Sequence, residues 1–127
     1  MYALDRIKHI HINENKFQLP KNFDGEAFFM DSFGIIAGDG HKTENVLIKV
    51  YKIQDSYIRT LPLHHSQKEV ESTSDYTIFS DHIKPSVDFL QELLSHGSDI
   101  EVLEPKWFRD EIAAVISAQH KVYRKKE

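Results

Sequence analysis

Histidine is the residue type in this chain that most invites a chemical role, with eight histidines among 127 residues and no cysteine. His9 and His11 lie two residues apart, and on a strand that spacing places both rings on one face, where they could share a divalent cation. A zinc site needs three or four protein ligands, and no third ligand follows at a suitable spacing. We therefore expect neither a metal nor another cofactor.

A catalytic nucleophile is also not indicated. Ser66 follows a histidine, but no G-x-S-x-G elbow surrounds it. The glycines Gly38 and Gly40 lack both the third glycine of a dinucleotide-binding loop and the Lys-Ser/Thr pair of a phosphate-binding loop. These patterns predict that the chain is not an enzyme. A histidine-dependent metalloenzyme is the alternative that elemental analysis of the purified protein would test.

Arg6 is the strongest candidate for binding. It lies in residues 2–12, whose loosely alternating apolar residues predict a half-buried strand. A guanidinium there either reaches solvent beside Asp5 or Glu14, or meets an anion. On a strand Arg6 and Lys8 share one face. This geometry predicts a phosphate-binding pair, in which Arg6 binds bidentately and Lys8 adds a point charge.

Composition narrows the classes of partner. Sixteen Lys and Arg against twenty Asp and Glu give a net charge of −4, which argues against generic nucleic-acid binding because such binding depends on clustered cations. The 40% hydrophobic content excludes a disordered chain. No apolar run approaches the roughly 18–20 residues of a membrane span, and no signal peptide is evident. We expect a cytoplasmic protein with no membrane partner.

The elements that must position these residues follow a regular order. Residues 20–24 predict a turn into a short helix that ends near Gly34, and the loop at residues 38–41 is a candidate boundary. The pattern beyond it is βαββαβ plus a terminal helix. This order predicts an α+β, ferredoxin-like sandwich with an added C-terminal helix, preceded by an orphan strand and a short helix. The predicted elements are a strand with Val46, Ile48 and Val50, a short helix capped by Asp55 and ended by Pro62, a hairpin of residues 67–73 and 76–83, a helix between Pro85-Ser86 and Gly97, a strand at 100–103, and a last helix from Pro105 with Phe108, Ile112, Val115 and Ile116 on its buried side.

Three stretches, in this order and spacing, resemble one protein family. Residues 3–7 (ALDRI) look like the closing strand of a WYL domain. Residues 63–67 (LHHSQ) and 93–105 (LLSHGSDIEVLEP) are similar to segments of that family's C-terminal extension, the WCX domain. The chain thus resembles the C-terminal part of a WYL-domain transcription regulator. The Trp-Tyr-Leu segment that names the family is absent, and Trp107 is not its equivalent.

The resemblance implies a layout and a function. Residues 1–18 would be the last strand of a truncated WYL barrel, 19–43 a linker with a short helix, and 44–127 the ferredoxin-like extension. The implied role is effector sensing and homodimerisation for a bacterial helix-turn-helix regulator that contacts promoter DNA only through a domain outside this chain. Arg6 then supports a nucleotide or a short nucleic acid as effector. Motif position and polar chemistry add Arg59, His65 and Gln67 as second-rank ligand-binding residues.

One alternative has a different functional class. A free-standing ACT-like domain also has the ferredoxin-like fold, and it would bind a small metabolite to control an enzyme. Residues 1–20 discriminate between the two, because an ACT-like unit has no use for an orphan N-terminal strand.

Overall fold

The computed structural model of the chain describes residues 4–34 and 40–124. The short helix α1 is followed by the βαββαβ order and by a long final helix. Short 3-10 turns occur at Leu4–Arg6 and Gly97–Asp99. The elements are α1 (Gly25–Phe29), β1 (Glu44–Tyr51), α2 (Lys52–Thr60), β2 (Lys68–Ser72), β3 (Tyr76–Ile83), α3 (Val87–Ser95), β4 (Ile100–Glu104) and α4 (Lys106–Arg124).

The sheet has the order β2-β3-β1-β4, and each neighbouring pair is antiparallel. The central strands β1 and β3 each run for eight residues with every second residue buried, as expected for strands with one face on a core. Two β-α-β units that share one sheet in this order form the ferredoxin-like arrangement. The predicted α+β fold with its C-terminal helix is confirmed.

The core lies on one face of this sheet, beneath α2 and α3. Phe89 of α3 is its centre: its ring lies 5.3 Å from that of Phe33 and 6.0 Å from that of Phe108, with the latter pair nearly parallel. Apolar burial of this kind is the main favourable term in folding. The buried apolar residues are Val46, Ile48, Val50, Ile58, Phe79, Ile83, Phe89, Leu90, Leu93, Val102 and Phe108.

Local sequence signals place most of the helix ends. Ser86 caps α3, its Oγ accepting the Phe89 N–H at 3.4 Å, and Gly97 follows the helix with a φ of +61° that glycine adopts readily. Asp24 caps α1 by accepting two backbone N–H groups. The prediction that Asp55 caps α2 is wrong. The helix begins directly after β1, so Asp55 lies inside it, buried and accepting the Thr77 hydroxyl at 3.1 Å.

Both edge strands of the sheet are protected. Strand β2 is short and exposed throughout, it carries three charged residues, and its register shifts between Glu69 and Glu71. On the opposite edge, Arg109 of α4 donates to the Val102 carbonyl of β4 at 2.8 Å and pairs with Glu101 at 2.7 Å. Charges, a bulge and a covering side chain are the usual means of blocking edge pairing.

Helix α4 is less buried than its sequence predicts. Phe108 is buried and Ile112 packs partly against the core. Val115 and Ile116 remain 38% and 49% exposed, so the expectation that all four residues line a buried face is wrong for these two. Every residue from 113 to 124 is exposed. Only the beginning of this helix is therefore fixed to the sandwich.

The predicted N-terminal strand over residues 2–12 does not form within the described residues. Tyr2 lies outside them, Leu4–Arg6 is a 3-10 turn, and no strand covers residues 7–12. Leu4, Ile10 and Ile12 are at least 76% exposed. An alternating stretch becomes a strand only where an edge accepts its backbone groups, and no strand of this sheet pairs with it. The short helix α1 is confirmed, but it ends at Phe29, so Gly34, although its φ of +68° is left-handed, does not close it as predicted.

One further predicted feature lies partly outside the described residues, because the structure does not describe residues 38 and 39 of the predicted boundary loop. Across residues 4–34 and 40–124, no helix combines the length and apolarity needed to cross a bilayer.

Candidate functional site

A shallow groove opens between α2 and the linker segment that packs on α3. Its walls are apolar and aromatic, and its polar groups are a phenol and a carboxylate. Such a combination suits a small, mostly apolar ligand that is oriented by one or two polar contacts. The lining residues are Phe33, Tyr57, Leu61, Pro62, Leu63 and Glu92.

The segment 63–67 follows one wall of this groove, and its first histidine is structural. His64 is buried, with Nε2 2.9 Å from the Met30 carbonyl and Nδ1 2.7 Å from Ser66 Oγ. Burial lowers the pKa of His64, so the neutral ring donates through Nε2–H to Met30 and accepts at Nδ1. His64 thereby fastens the linker to the sandwich. The second histidine, His65, is exposed, and its ring centroid lies 4.0 Å from that of His64.

Gln67 braces the same segment instead of facing solvent. Its Oε1 accepts the Leu63 N–H at 3.0 Å, and its Nε2 donates to the Ile58 carbonyl at 3.0 Å. Both ends of the side-chain amide are therefore used within the fold. Gln67 therefore holds the backbone of Leu63, which lines the groove, and its amide is already committed to bonds within the fold.

Arg59 is likewise engaged inside the fold. Its Nε donates to Glu69 at 2.9 Å, its Nη1 lies 3.7 Å from Asp55, and the guanidinium lies 6.0 Å from the Phe79 ring centroid. The hydrogen bond with Glu69 raises the pKa of Arg59 more than any other contact does. Burial acts to raise the pKa of Asp55, but hydrogen bonds from Thr77 and neighbouring cations lower it overall. An anionic ligand at Arg59 must compete with Glu69.

Arg6 and Lys8, the first-rank candidates, are both exposed. Within residues 4–34 and 40–124, neither forms an ion pair, and no hydrogen bond connects them with Arg59, His65 or Gln67. The predicted common strand face of Arg6 and Lys8 is missing, because Arg6 ends a 3-10 turn. None of the five predicted residues is among the residues that line the groove between α2 and the linker.

Asp81 is a chemically unusual residue that the sequence reasoning missed. It lies on β3 between Phe79 and Ile83, opposite Val46, and its side chain is fully buried. Neither carboxylate oxygen has a hydrogen-bond partner among the described residues. Burial raises the pKa of Asp81 to about 7. The signal was present in the sequence, because the alternation Thr77-Phe79-Asp81-Ile83 places residue 81 on the inward face.

The described residues were also compared with the requirements of a metal site. Residues 4–34 and 40–124 contain no group of three or more His, Asp or Glu side chains arranged to hold a metal ion.

Comparison with known proteins identifies the sandwich. The family model of the WCX domain matches residues 42–118, which is more than half of the 127-residue chain and spans the whole βαββαβ unit. No match to the sequence was found among curated proteins. The match extends through the LHHSQ and LLSHGSDIEVLEP segments, while Arg6 and Lys8 lie before it. The chain belongs to the WCX domain family, the regulatory domains of WYL-type transcription regulators.

Proposed function

We propose that this chain is the effector-sensing and dimerising module of a bacterial helix-turn-helix transcription factor, with no catalytic role. The observation that carries the proposal is the WCX match over residues 42–118, which coincides with the ferredoxin-like sandwich. The groove beside residues 61–63 gives the sandwich a concave surface. The DNA-reading domain of the regulator would lie outside this chain.

The proposed effector is a nucleotide or a short nucleic acid, whose phosphate is bound by Arg6 with Lys8 as a second cation. The exposed Arg6 and Lys8 form no ion pair with any described carboxylate, so a phosphate can approach without displacing a partner. A guanidinium grips a phosphate through two parallel N–H···O bonds. His65 is exposed and adds a further donor, whereas Arg59 and Gln67 are proposed to support the groove from within.

Arg6→Ala is expected to abolish the effector response in the full-length regulator. Hydrogen bonds to charged groups contribute about 1.5–3 kcal/mol, which corresponds to roughly 10- to 100-fold weaker binding. Fluorescence anisotropy with a labelled single-stranded oligonucleotide measures this loss. Folding is expected to be unchanged because residue 6 is exposed, and Arg6→Lys should restore binding only in part.

The matched control for this variant is Lys21→Ala, which removes one exposed cation from the linker. It is expected to weaken oligonucleotide binding far less than Arg6→Ala. Equal effects of the two variants would mean that only overall charge matters. Wild-type binding by Arg6→Ala would end the assignment of Arg6 to the effector site.

The isolated 127-residue chain is expected not to bind promoter DNA specifically. Its net charge of −4 gives little counterion release on a duplex, and sequence reading requires an element that enters a groove. Electrophoretic mobility shifts with the regulator's own promoter at physiological salt, against a scrambled duplex of the same length, measure this. A shift with the promoter but not with the scrambled duplex would show that DNA reading resides in this chain.

A further inference from the structure

The groove between α2 and the linker carries charge of one sign. It encloses about 180 Å³, less than the roughly 300–1,000 Å³ of sites for drug-sized ligands, so it suits a small molecule. Among the described residues that line it, Glu92 is the one with a charge at neutral pH, and no Lys or Arg is present. A groove lined by negative charge attracts cations and repels anions. Its electrostatics therefore favour a cationic occupant.

A second carboxylate lies one helical turn before Glu92. Asp88 and Glu92 are four residues apart on α3, so they share one side of the helix. The Asp88 carboxylate lies against the backbone of Gly34, because a β-carbon at Gly34 would be only 2.7 Å from its Oδ2. Gly34 directly follows Phe33, which lines the groove. The two carboxylates thus extend the negative charge along the α3 side of the groove.

His96, the C-cap residue of α3, leaves the Glu92 carboxylate open to a ligand. The His96 side chain is only 8% exposed, and its Nε2 lies 3.4 Å from a carboxylate oxygen of Glu92. This buried nitrogen forms no hydrogen bond with any described residue, and the ring pairs with Glu92 only when it is protonated. No described group donates a hydrogen bond to the Glu92 carboxylate. A ligand with N–H donors would therefore meet an acceptor that the fold has not used.

Two aromatic rings complete the groove. Phe33 and Tyr57 both line it, and Phe33 is held in place by Phe89, whose ring centroid lies 5.3 Å away. The face of an aromatic ring attracts an organic ammonium ion, and the attraction grows when water is excluded. Aromatic and aliphatic walls beside one open carboxylate therefore match a cation that is attached to an apolar body.

Another groove, between β4 and α4, provides an internal comparison. It encloses about 190 Å³, and its lining includes the apolar Ile100 and Ile112. Its two charged residues, Glu101 and Arg109, pair with each other at 2.7 Å. The two grooves thus have similar size and apolar walls, but only the groove between α2 and the linker presents a carboxylate without a hydrogen-bond partner among the described residues.

We propose that the groove between α2 and the linker binds a small primary amine with an apolar carbon skeleton. The ammonium group donates hydrogen bonds to the Glu92 carboxylate, and the apolar skeleton packs against Phe33 and Tyr57. This ligand is chemically distinct from the phosphate proposed for Arg6, and its site is a separate one. The inference therefore goes beyond the proposed function and gives the domain a second ligand class.

Three probes of similar shape and different charge test the site on the full chain: phenethylamine, the neutral phenethyl alcohol and the anionic hydrocinnamate. Each is titrated into isotope-labelled protein and followed by NMR at pH 8, above the range in which histidine side chains usually become charged. Phenethylamine is expected to bind with a Kd of about 0.1–1 mM, a range that suits so small a ligand. It should shift the backbone amide signals of Phe33, Tyr57 and Leu63.

The alcohol and the anion are expected to bind at least about tenfold more weakly, because neither brings a positive charge to the carboxylate. Equal binding of the amine and the alcohol would show that charge recognition is absent. Amine-induced shifts that are confined to the groove between β4 and α4 would place the ligand elsewhere. Either result, or no binding of phenethylamine up to about 10 mM, overturns the proposal.

Glu92→Gln keeps the shape of the side chain and removes its charge. It is expected to weaken phenethylamine binding about tenfold or more and to leave the binding of phenethyl alcohol unchanged. Glu111→Gln removes an exposed carboxylate from α4 and is the matched control, which should bind the amine like wild type. Wild-type affinity in Glu92→Gln, or an equal loss in Glu111→Gln, contradicts the assignment of Glu92. The oligonucleotide assay with Arg6→Ala is independent of these titrations, so a failed amine site would leave the proposed function standing.

Discussion

Phe108→Ala is expected to lower the free energy of unfolding by about 3–5 kcal/mol, the range for deleting a fully buried phenylalanine. Phe108 is 0% exposed, and its ring stacks on Phe89, which also contacts Phe33. Its removal would leave a cavity where α3, α4 and the sheet meet. We expect α4 to lose its anchor, because no described residue beyond 112 on this helix is buried.

Urea unfolding followed by circular dichroism and by fluorescence measures this effect. The single tryptophan, Trp107, is a suitable reporter, since its ring lies 5.5 Å from that of Phe108. Val115→Ala on the exposed part of α4 is the control, with an expected change below about 0.5 kcal/mol in the monomer. Ile112→Ala should lie between the two, since the full 2–4 kcal/mol penalty applies only at a completely buried site. A loss below about 1 kcal/mol for Phe108→Ala would mean that α4 is not part of the cooperative unit.

Asp81→Asn is expected to stabilise the domain at pH 8 and to have little effect near pH 4. Burial raises the pKa of Asp81 from its ordinary 3.8 to about 7, which corresponds to roughly 4 kcal/mol of linkage. A carboxyl with a raised folded pKa contributes stability below the unfolded value and loses it as pH rises through the folded value. The ionised form therefore weakens the fold above pH 7. Asparagine has the same shape without the charge, so we expect a gain of about 2–4 kcal/mol at pH 8.

The comparison must be made between variant and wild type at each pH, because His64 acts in the opposite direction. Burial lowers the pKa of His64, so its contribution is present above pH 6.5 and is lost as pH falls below that value. This contribution is common to both proteins and cancels in the difference. Asp75→Asn, at an exposed turn, is the matched control and should change stability little at either pH. An Asp81→Asn protein that is no more stable than wild type at pH 8 would contradict the assignment.

Sequence patterns predict the sandwich well where local and long-range signals agree. Strand β3 has the predicted bounds because its successive residues alternate between buried and less buried over eight positions. Gly97 and Ser86 mark helix ends through backbone geometry and capping, which are local properties. Topology then follows, since the βαββαβ order with short connections leaves few arrangements.

The wrong predictions for residues 2–12 and for α4 have one physical cause. The spacing of apolar residues shows which face of an element is apolar, but it does not show which other element covers that face. The alternation over residues 2–12 pairs with no strand of the sheet, and the apolar face of α4 continues to Val115 and Ile116, beyond the core that was expected to cover it. At the candidate site, Arg59 and Gln67 were predicted to bind a ligand because they are polar. In the folded chain their polar groups bond to Glu69, Leu63 and Ile58 instead, and these partners could not be read from the sequence. The predicted N-terminal strand was to distinguish a WYL extension from an ACT-like domain. Because the described residues before β1 form no strand, this distinction rests on the WCX match.

The protected sheet edges also bear on how this domain behaves at high concentration. Strand β2 is bulged and charged, and on the other edge Arg109 donates a hydrogen bond to the Val102 carbonyl. Open-ended growth of a shared sheet, the route to fibrils, requires a free edge at which each new chain can add. Within residues 4–34 and 40–124, the two edge strands of this sheet are blocked in the ways just described. Concentrated solutions of this domain are therefore expected to resist fibril formation through its sheet.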